Sequence, residues 1–181
     1  MTRYPHHLRR AAAEAIGRFP HALRPEIYVV SFRIGRLGDD PRRPYLAVGP
    51  NTESRFRAAL DRHGPDEARW NPAHWLPEAE RVGGGPEDPD GAAAFRSAAE
   101  RLGYWYEDGD DLTDDEEDDC AEALYDLFAD ACERAADALT ATGTVTALLG
   151  RAVPIVVHDP ALSGWEPPRP PDVRSFLPHH P

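Results

Sequence analysis

From Leu112 to Ala141 the chain runs thirty residues without a glycine or proline, the first break coming at Gly143. Thr113 followed three residues later by Glu116 is a capping box, in which the hydroxyl accepts from the Glu116 amide and the carboxylate reaches back to the Thr113 amide. Leu124, Phe128, Ala131, Ala135 and Leu139 then recur at steps of three and four, and Cys120, Leu127, Cys132 and Ala138 widen the stripe into one buried helix face. A helix of this length measures about 40 Å at 1.5 Å per residue, long enough to span a small domain. The rest of the chain is expected to pack around it as a spine.

The composition limits how much core there is to share. With 41% hydrophobic residues over 181 positions, one substantial core is expected, while 19 prolines and a mean hydropathy of -0.58 leave much of the chain to polar, proline-bounded connections. All 20 basic residues are arginine. The formal net charge of -12 argues against a nucleic-acid binder, which needs a basic patch to neutralise phosphates, and suits a basic partner instead. No apolar run approaches the roughly 20 residues of a membrane helix, and the first residues lack the apolar core of a signal peptide, so a cytoplasmic location is expected. Cys120 and Cys132 lie about 18 Å apart on the same helix, too far for a disulfide, and read as small buried residues.

Periodicity places the other elements. Residues 6–19 carry Leu8, Ala12, Ala15, Ile16 and Phe19 at helical spacing, ending before Pro20. Residues 26–34 are dense in β-branched and aromatic side chains and predict a strand; residues 44–48 predict a second, joined to it by a long turn over 35–43. Cap residues at 51–54 open a helix to about His63, closed by Gly64 and Pro65, and residues 70–75 form an ordered loop or short helix pinned by Trp70 and Trp75. Residues 82–91, with three glycines and a Pro-Glu-Asp-Pro-Asp-Gly run, predict a flexible surface loop. A helix over 92–102 stops at Gly103, residues 143–146 read as a turn or short extended piece, and residues 153–158 as a late strand at a sheet edge, because Pro154 cannot donate to a ladder. The fold class is therefore α+β: a small, mostly antiparallel sheet packed by helices, forming one domain over residues 1–160, with a proline-rich tail over 161–181.

Ten carboxylates crowd the thirteen residues 107–119. No register places Gly109 at the sixth position of an EF-hand loop, so that calcium motif fails. Acids at a helix N-terminus favour the macrodipole, and they also offer a surface to a cationic partner. Tyr104, Trp105 and Tyr106 stand directly beside them, as interface anchors do, although the same rings can serve the core. The expected contact set is Tyr104, Trp105, Tyr106, Glu107, Asp108, Asp110, Asp111, Asp114, Asp115, Asp118 and Asp119. His158 with Asp159 is the pair closest to a catalytic base and its orienter, but neighbours on a strand point to opposite faces. His74 lies beside Trp75. The pairs His6–His7 and His179–His180 lack further ligands at metal spacing, and the glycines at 83–85 follow no strand and so cradle no phosphate. No catalytic residue, metal or cofactor is expected.

The segment Gly49-Pro50-Asn51-Thr52-Glu53 after the second strand, followed by Arg69-Trp70-Asn71-Pro72-Ala73-His74-Trp75, resembles the bacterial family called domain of unknown function 4303, over roughly residues 5–160. The resemblance rests on Asn51, Thr52, Glu53, Trp70, Pro72 and Trp75. It implies a small α+β domain with no assigned activity, of a kind in which compact acidic domains act as immunity proteins that neutralise a toxin. Charge and resemblance together lead to a non-enzymatic binding protein whose acidic surface occludes a basic partner; the alternative is a hydrolase or metal-dependent enzyme using His158 and Asp159.

Overall fold

The computed structural model describes residues 3–160. The expected tail over 161–181, including His179–His180, lies outside the described residues.

The fold is α+β. A sheet of four strands, β1 (Ile27–Arg36), β2 (Pro44–Thr52), β3 (Glu80–Val82) and β4 (Ile155–His158), runs in the order β3-β2-β1-β4. Both β1–β2 and β2–β3 are antiparallel, whereas β4 lies parallel to β1, pairing Val30 with Ile155 and Arg33 with His158, so the sheet is mixed. β4 sits at an edge, and Pro154 just before it lends only its carbonyl, to the Val30 amide at 2.9 Å.

Helices α1 (Arg3–Gly17), α4 (Pro89–Leu102), α5 (Asp114–Ala141) and α6 (Thr144–Leu149) cover one face. There Val30, Phe32 and Ile34 of β1 and Leu46 and Val48 of β2 meet Leu8, Ala12 and Ile16 of α1 and Leu124, Phe128, Cys132 and Leu139 of α5. Tyr4, Phe95 and Phe128 form an aromatic trio with centroids 5.3 to 6.2 Å apart, and the Tyr4 hydroxyl donates to the Gly83 carbonyl at 2.8 Å. Burial raises the Tyr4 pKa well above its ordinary value.

The opposite face has a smaller cover. α2 (Glu53–Leu60), α3 (Pro65–Trp70) and a short 3-10 turn (Pro72–His74) lay Phe56, Trp70 and Trp75 over Tyr28, Val29 and Val156. A bulge makes room for this. The register shifts between Ile27 and Val29, so Ile27 and Val30 serve the helix-side core while Tyr28 and Val29 both serve the other.

α5 begins as its capping box requires, Thr113 Oγ1 accepting from the Glu116 amide and Glu116 accepting from the Thr113 amide. Thr113→Ala is expected to lower stability by about 1 kcal/mol, with Thr113→Ser close to wild type, as read from urea unfolding midpoints. Equal midpoints for all three proteins would show that the cap is idle.

Three expectations need correction. Residues 82–91 are not a loose surface loop, and the glycines at 83–85 do follow a strand: Val82 ends β3, Gly83 and Gly84 are buried, and Asp88 caps α4 by accepting from the Gly91 amide at 3.0 Å. Asp88 also accepts from the Gly83 amide and meets His7 Nε2, both at 2.8 Å, which ties α1, the glycine turn and α4 together. Burial alone would raise the Asp88 pKa, but the His7 contact and the two amides outweigh it and hold it below the usual value. Residues 144–149 form helix α6 rather than an extended piece, since Val145 and Leu149, four apart, bury together against the helix layer. Finally, α2 closes at Leu60, and Gly64 and Pro65 open α3 rather than end a longer helix. No helix among the described residues is long and apolar enough to cross a membrane.

Candidate functional site

The acidic tract divides in two. Its first part is a turn bonded onto the body of the protein. Arg42, from the β1–β2 connection, reaches Asp108 at 2.6 Å and Asp40 at 2.9 Å and lies over the Tyr106 ring at 4.9 Å. Arg96 of α4 pairs with Glu100 at 2.8 Å and with Glu107 at 2.5 Å, its guanidinium 4.9 Å from the centre of the Trp105 ring. Trp105 Nε1 donates to Glu107 at 3.1 Å, and the Glu107 amide donates to Asp110 at 2.8 Å. Asp108, Glu107 and Asp110 thus each have a partner, although the two arginines offset only part of the local negative charge.

The second part projects from the first turns of α5. Asp111, Asp114, Asp115, Glu117, Asp118 and Asp119 are all exposed, and among the described residues none makes a hydrogen bond or ion pair through its carboxylate. Asp114 with Asp118, and Asp115 with Asp119, stand four apart on one helix face as like-charge neighbours, which opposes helix formation. The aromatic residues of the expected contact set turn the other way: Tyr106 is 7% exposed and part of the core, and Tyr104 and Trp105 are half-buried against it. Contact with a partner would thus fall to the carboxylates, with the rings supporting them from behind.

On the smaller-cover face, the residues quoted for the family resemblance form one unit. Thr52 caps α2, accepting from the Arg55 amide, while Asn51 is fully buried and donates from Nδ2 to the Tyr28 hydroxyl at 2.6 Å. That hydroxyl donates to the Arg69 carbonyl at 2.6 Å, which also accepts from Trp75 Nε1 at 3.0 Å. The Arg69 guanidinium stacks 4.4 Å from the Tyr28 ring centre and 4.8 Å from that of Phe56, and pairs with Glu53 at 2.7 Å. Burial raises the Tyr28 pKa to about 12, so this relay keeps its proton at neutral pH.

His158 belongs to the same face. Its Nε2 lies 2.8 Å from Ser31 Oγ, and the Trp75 ring stands perpendicular to the imidazole with centroids 5.4 Å apart. Burial, with the Arg33 charge adding to it, lowers its pKa to about 4. The imidazole is therefore neutral at pH 7 and shares a hydrogen bond with the serine. Asp159 bears on Tyr125 of α5, whose pKa is raised to about 12 by burial and by that carboxylate. The structure thus pairs His158 with Ser31, a residue the sequence offered no reason to single out, because a serine inside an apolar strand carries no motif.

His74 has partners of its own. Its Nε2 lies 3.3 Å from Glu67 Oε1, and the same oxygen lies 3.2 Å from Nδ1 of His63, whose ring stacks on that of His74 with centroids 3.7 Å apart. His63, Glu67 and His74 form the one group of three metal-ligand side chains found together among the described residues. Sequence reasoning missed His63 and Glu67, although the His-x-x-x-Glu spacing was a legible signal.

Beside these groups, a mostly apolar groove of about 740 Å³ runs between the end of α1 and the segment before β3, with Phe19, Leu23, Val48, Pro50 and Leu76 in its wall. Compared with known proteins, the chain matches no family model, no curated protein and no solved structure.

Proposed function

We propose that this chain is a non-enzymatic binding protein whose acidic surface engages and occludes a basic protein, in the manner of an immunity-type inhibitor covering the cationic site of a toxin. The observation that carries this reading is the set of six exposed, unpaired carboxylates between Asp111 and Asp119. Folding explains only part of them. The helix dipole favours negative charge only within the first turn, which Asp114 to Glu117 already fill, so Asp118 and Asp119 gain little from it and repel their neighbours. A chain with 20 arginines elsewhere has left this stripe without a counter-charge, which suits a surface whose counter-charge arrives with the partner.

The first experiment is capture of partners by the tagged protein from lysate of its own host, washed at low and then high salt, followed by association kinetics with the captured protein. Neutralising Asp114, Asp115, Asp118 and Asp119 together to asparagine is expected to slow association by about 10-fold or more at low salt and to flatten its salt dependence. The melting temperature of the variant should change little, since removing like-charge neighbours is offset by losing the two first-turn charges that the helix dipole favours. Unaltered kinetics in the variant would reduce the tract to a solvated helix end.

A further inference from the structure

We propose that His63, Glu67 and His74 form a binding site for a divalent transition-metal ion of the zinc type. Three observations converge. The first is distance: ligands held 2.0 to 2.1 Å from a tetrahedral zinc ion lie about 3.3 Å from one another. The two nitrogen-to-oxygen separations here are 3.2 and 3.3 Å, and the donor atoms all lie within 4.8 Å of one another. Charge-assisted hydrogen bonds between such groups shorten to about 2.7–2.9 Å, so these contacts are loose for an ion pair and fit the edge of a coordination shell.

The second is chemistry. Two imidazoles and one carboxylate are the donors that bind zinc, cobalt, nickel and copper, whereas calcium and magnesium prefer all-oxygen shells. The three side chains are 19% to 42% exposed, which leaves a fourth position for water. The third is preorganisation of two of the three ligands. Glu67 is set by α3, which Pro65 starts and the Ala68 amide anchors to the Gly64 carbonyl at 2.8 Å. His74 is set by the 3-10 turn, where Asn71 accepts from the amides of Ala73 and His74, each at 3.0 Å, while Arg55 donates to the His74 carbonyl at 2.9 Å. His63 stands in the connection between α2 and α3, four residues before Glu67.

Two imidazoles on one tetrahedral ion diverge from it, so coordination opens the ring stack. The ion then joins the α2–α3 connection, α3 and the 3-10 turn in a single cross-link. Because Trp75 follows His74 directly and fills the smaller core, the bound metal fastens this cover to the sheet.

The test uses the full chain after chelator treatment and dialysis. Zinc titration by calorimetry is expected to show one ion per chain at this site, and cobalt to give the intense visible bands of a four-coordinate ion. His63→Ala and His74→Ala should each weaken zinc binding by at least about 100-fold, more than loss of a group behind the ligands does, and Glu67→Gln by about 10-fold. His179→Ala with His180→Ala, and His6→Ala, should leave the cobalt spectrum intact. Zinc affinity unchanged in the His63→Ala/His74→Ala double variant, or a weak six-coordinate cobalt spectrum, would overturn the proposal. Should removal of a ring disturb folding, the shape-preserving Glu67→Gln decides: undiminished affinity there overturns it as well.

Discussion

Replacing Gly84 by alanine is expected to destabilise the protein by about 3 kcal/mol or more, the upper end of what overpacking a well-filled interior does. Gly84 is buried where the chain leaves β3, against the first residue of β2. A methyl group there would fall on the Pro44 carbonyl oxygen, far inside van der Waals contact, and 3.3 Å from the carbonyl carbon. Both are backbone atoms, so no side-chain rotation relieves the clash. Relief requires parting β2 from the glycine turn, which disturbs the β2–β3 pairs Leu46–Val82 and Ala47–Arg81. Gly103 supplies the control. It ends α4 in the left-handed region at φ 77, but a methyl group there meets nothing within 4 Å. Gly103→Ala should therefore show only the backbone penalty, about 1 kcal/mol. Urea unfolding of both variants gives the order, and a Gly84→Ala protein no less stable than Gly103→Ala would mean that the turn does not pack against Pro44.

The same glycines show where the sequence was hard to read. Three consecutive glycines signal freedom when only local preference is considered, yet here Gly84 is small because the Pro44 backbone passes too close for a Cβ, while Gly83 and Gly85 hold left-handed backbone at φ 78 and 74. Local signals were sufficient where an element is made by its own residues: the Thr113–Glu116 box, the stripe from Leu124 to Leu139 and the β-branched run of β1 all stand as their patterns require. They failed where distant chain decides. β4 lies parallel to β1 across more than a hundred residues, and no pattern in residues 155–158 states a direction. The β-branched residues at 144–146 favour an extended chain, but burial of Val145 and Leu149 outweighs that preference. In the candidate site the carboxylates were legible because charge has few places to go but the surface. Tyr106 was not, since an aromatic residue beside acids suits core and interface alike, and the Arg42 guanidinium that covers its ring comes from a connection more than sixty residues away. His63, Glu67 and His74 come from three short pieces whose folding together depends on Pro65 and Pro72 starting two separate turns.

Lowering the pH from 7.5 to 5 is expected to remove about 2 kcal/mol of stability through His158 alone, and roughly 3 kcal/mol by pH 4. The folded chain holds this imidazole at about 4 against an ordinary value of 6.5, because burial and the Arg33 charge disfavour the cation more than Asp159 favours it. Between those values the unfolded chain binds the proton and the folded chain does not, so stability rises with pH through the window and is lost as pH falls. Asp40 and Asp88, whose folded values are lowered, have the same sign, but their contribution is lost only as pH falls through the carboxylate range, largely below pH 5. Urea unfolding at steps from pH 7.5 to 5 therefore leaves out most of the carboxylate titration, and comparison with a His158 variant separates this imidazole from the other histidines. His158→Gln keeps a side-chain amide that can donate to or accept from Ser31 and has nothing to titrate, so its profile should be flatter than wild type across that range. Parallel profiles for the two proteins would show that His158 titrates as it does in the unfolded chain. A flattened profile would place the pH sensitivity at the contact between β4 and Trp75, and amide exchange in residues 70–75 should then quicken in the wild type at pH 5 but not in the variant, because a charge forming on the largely buried His158 is poorly solvated beside the Trp75 ring.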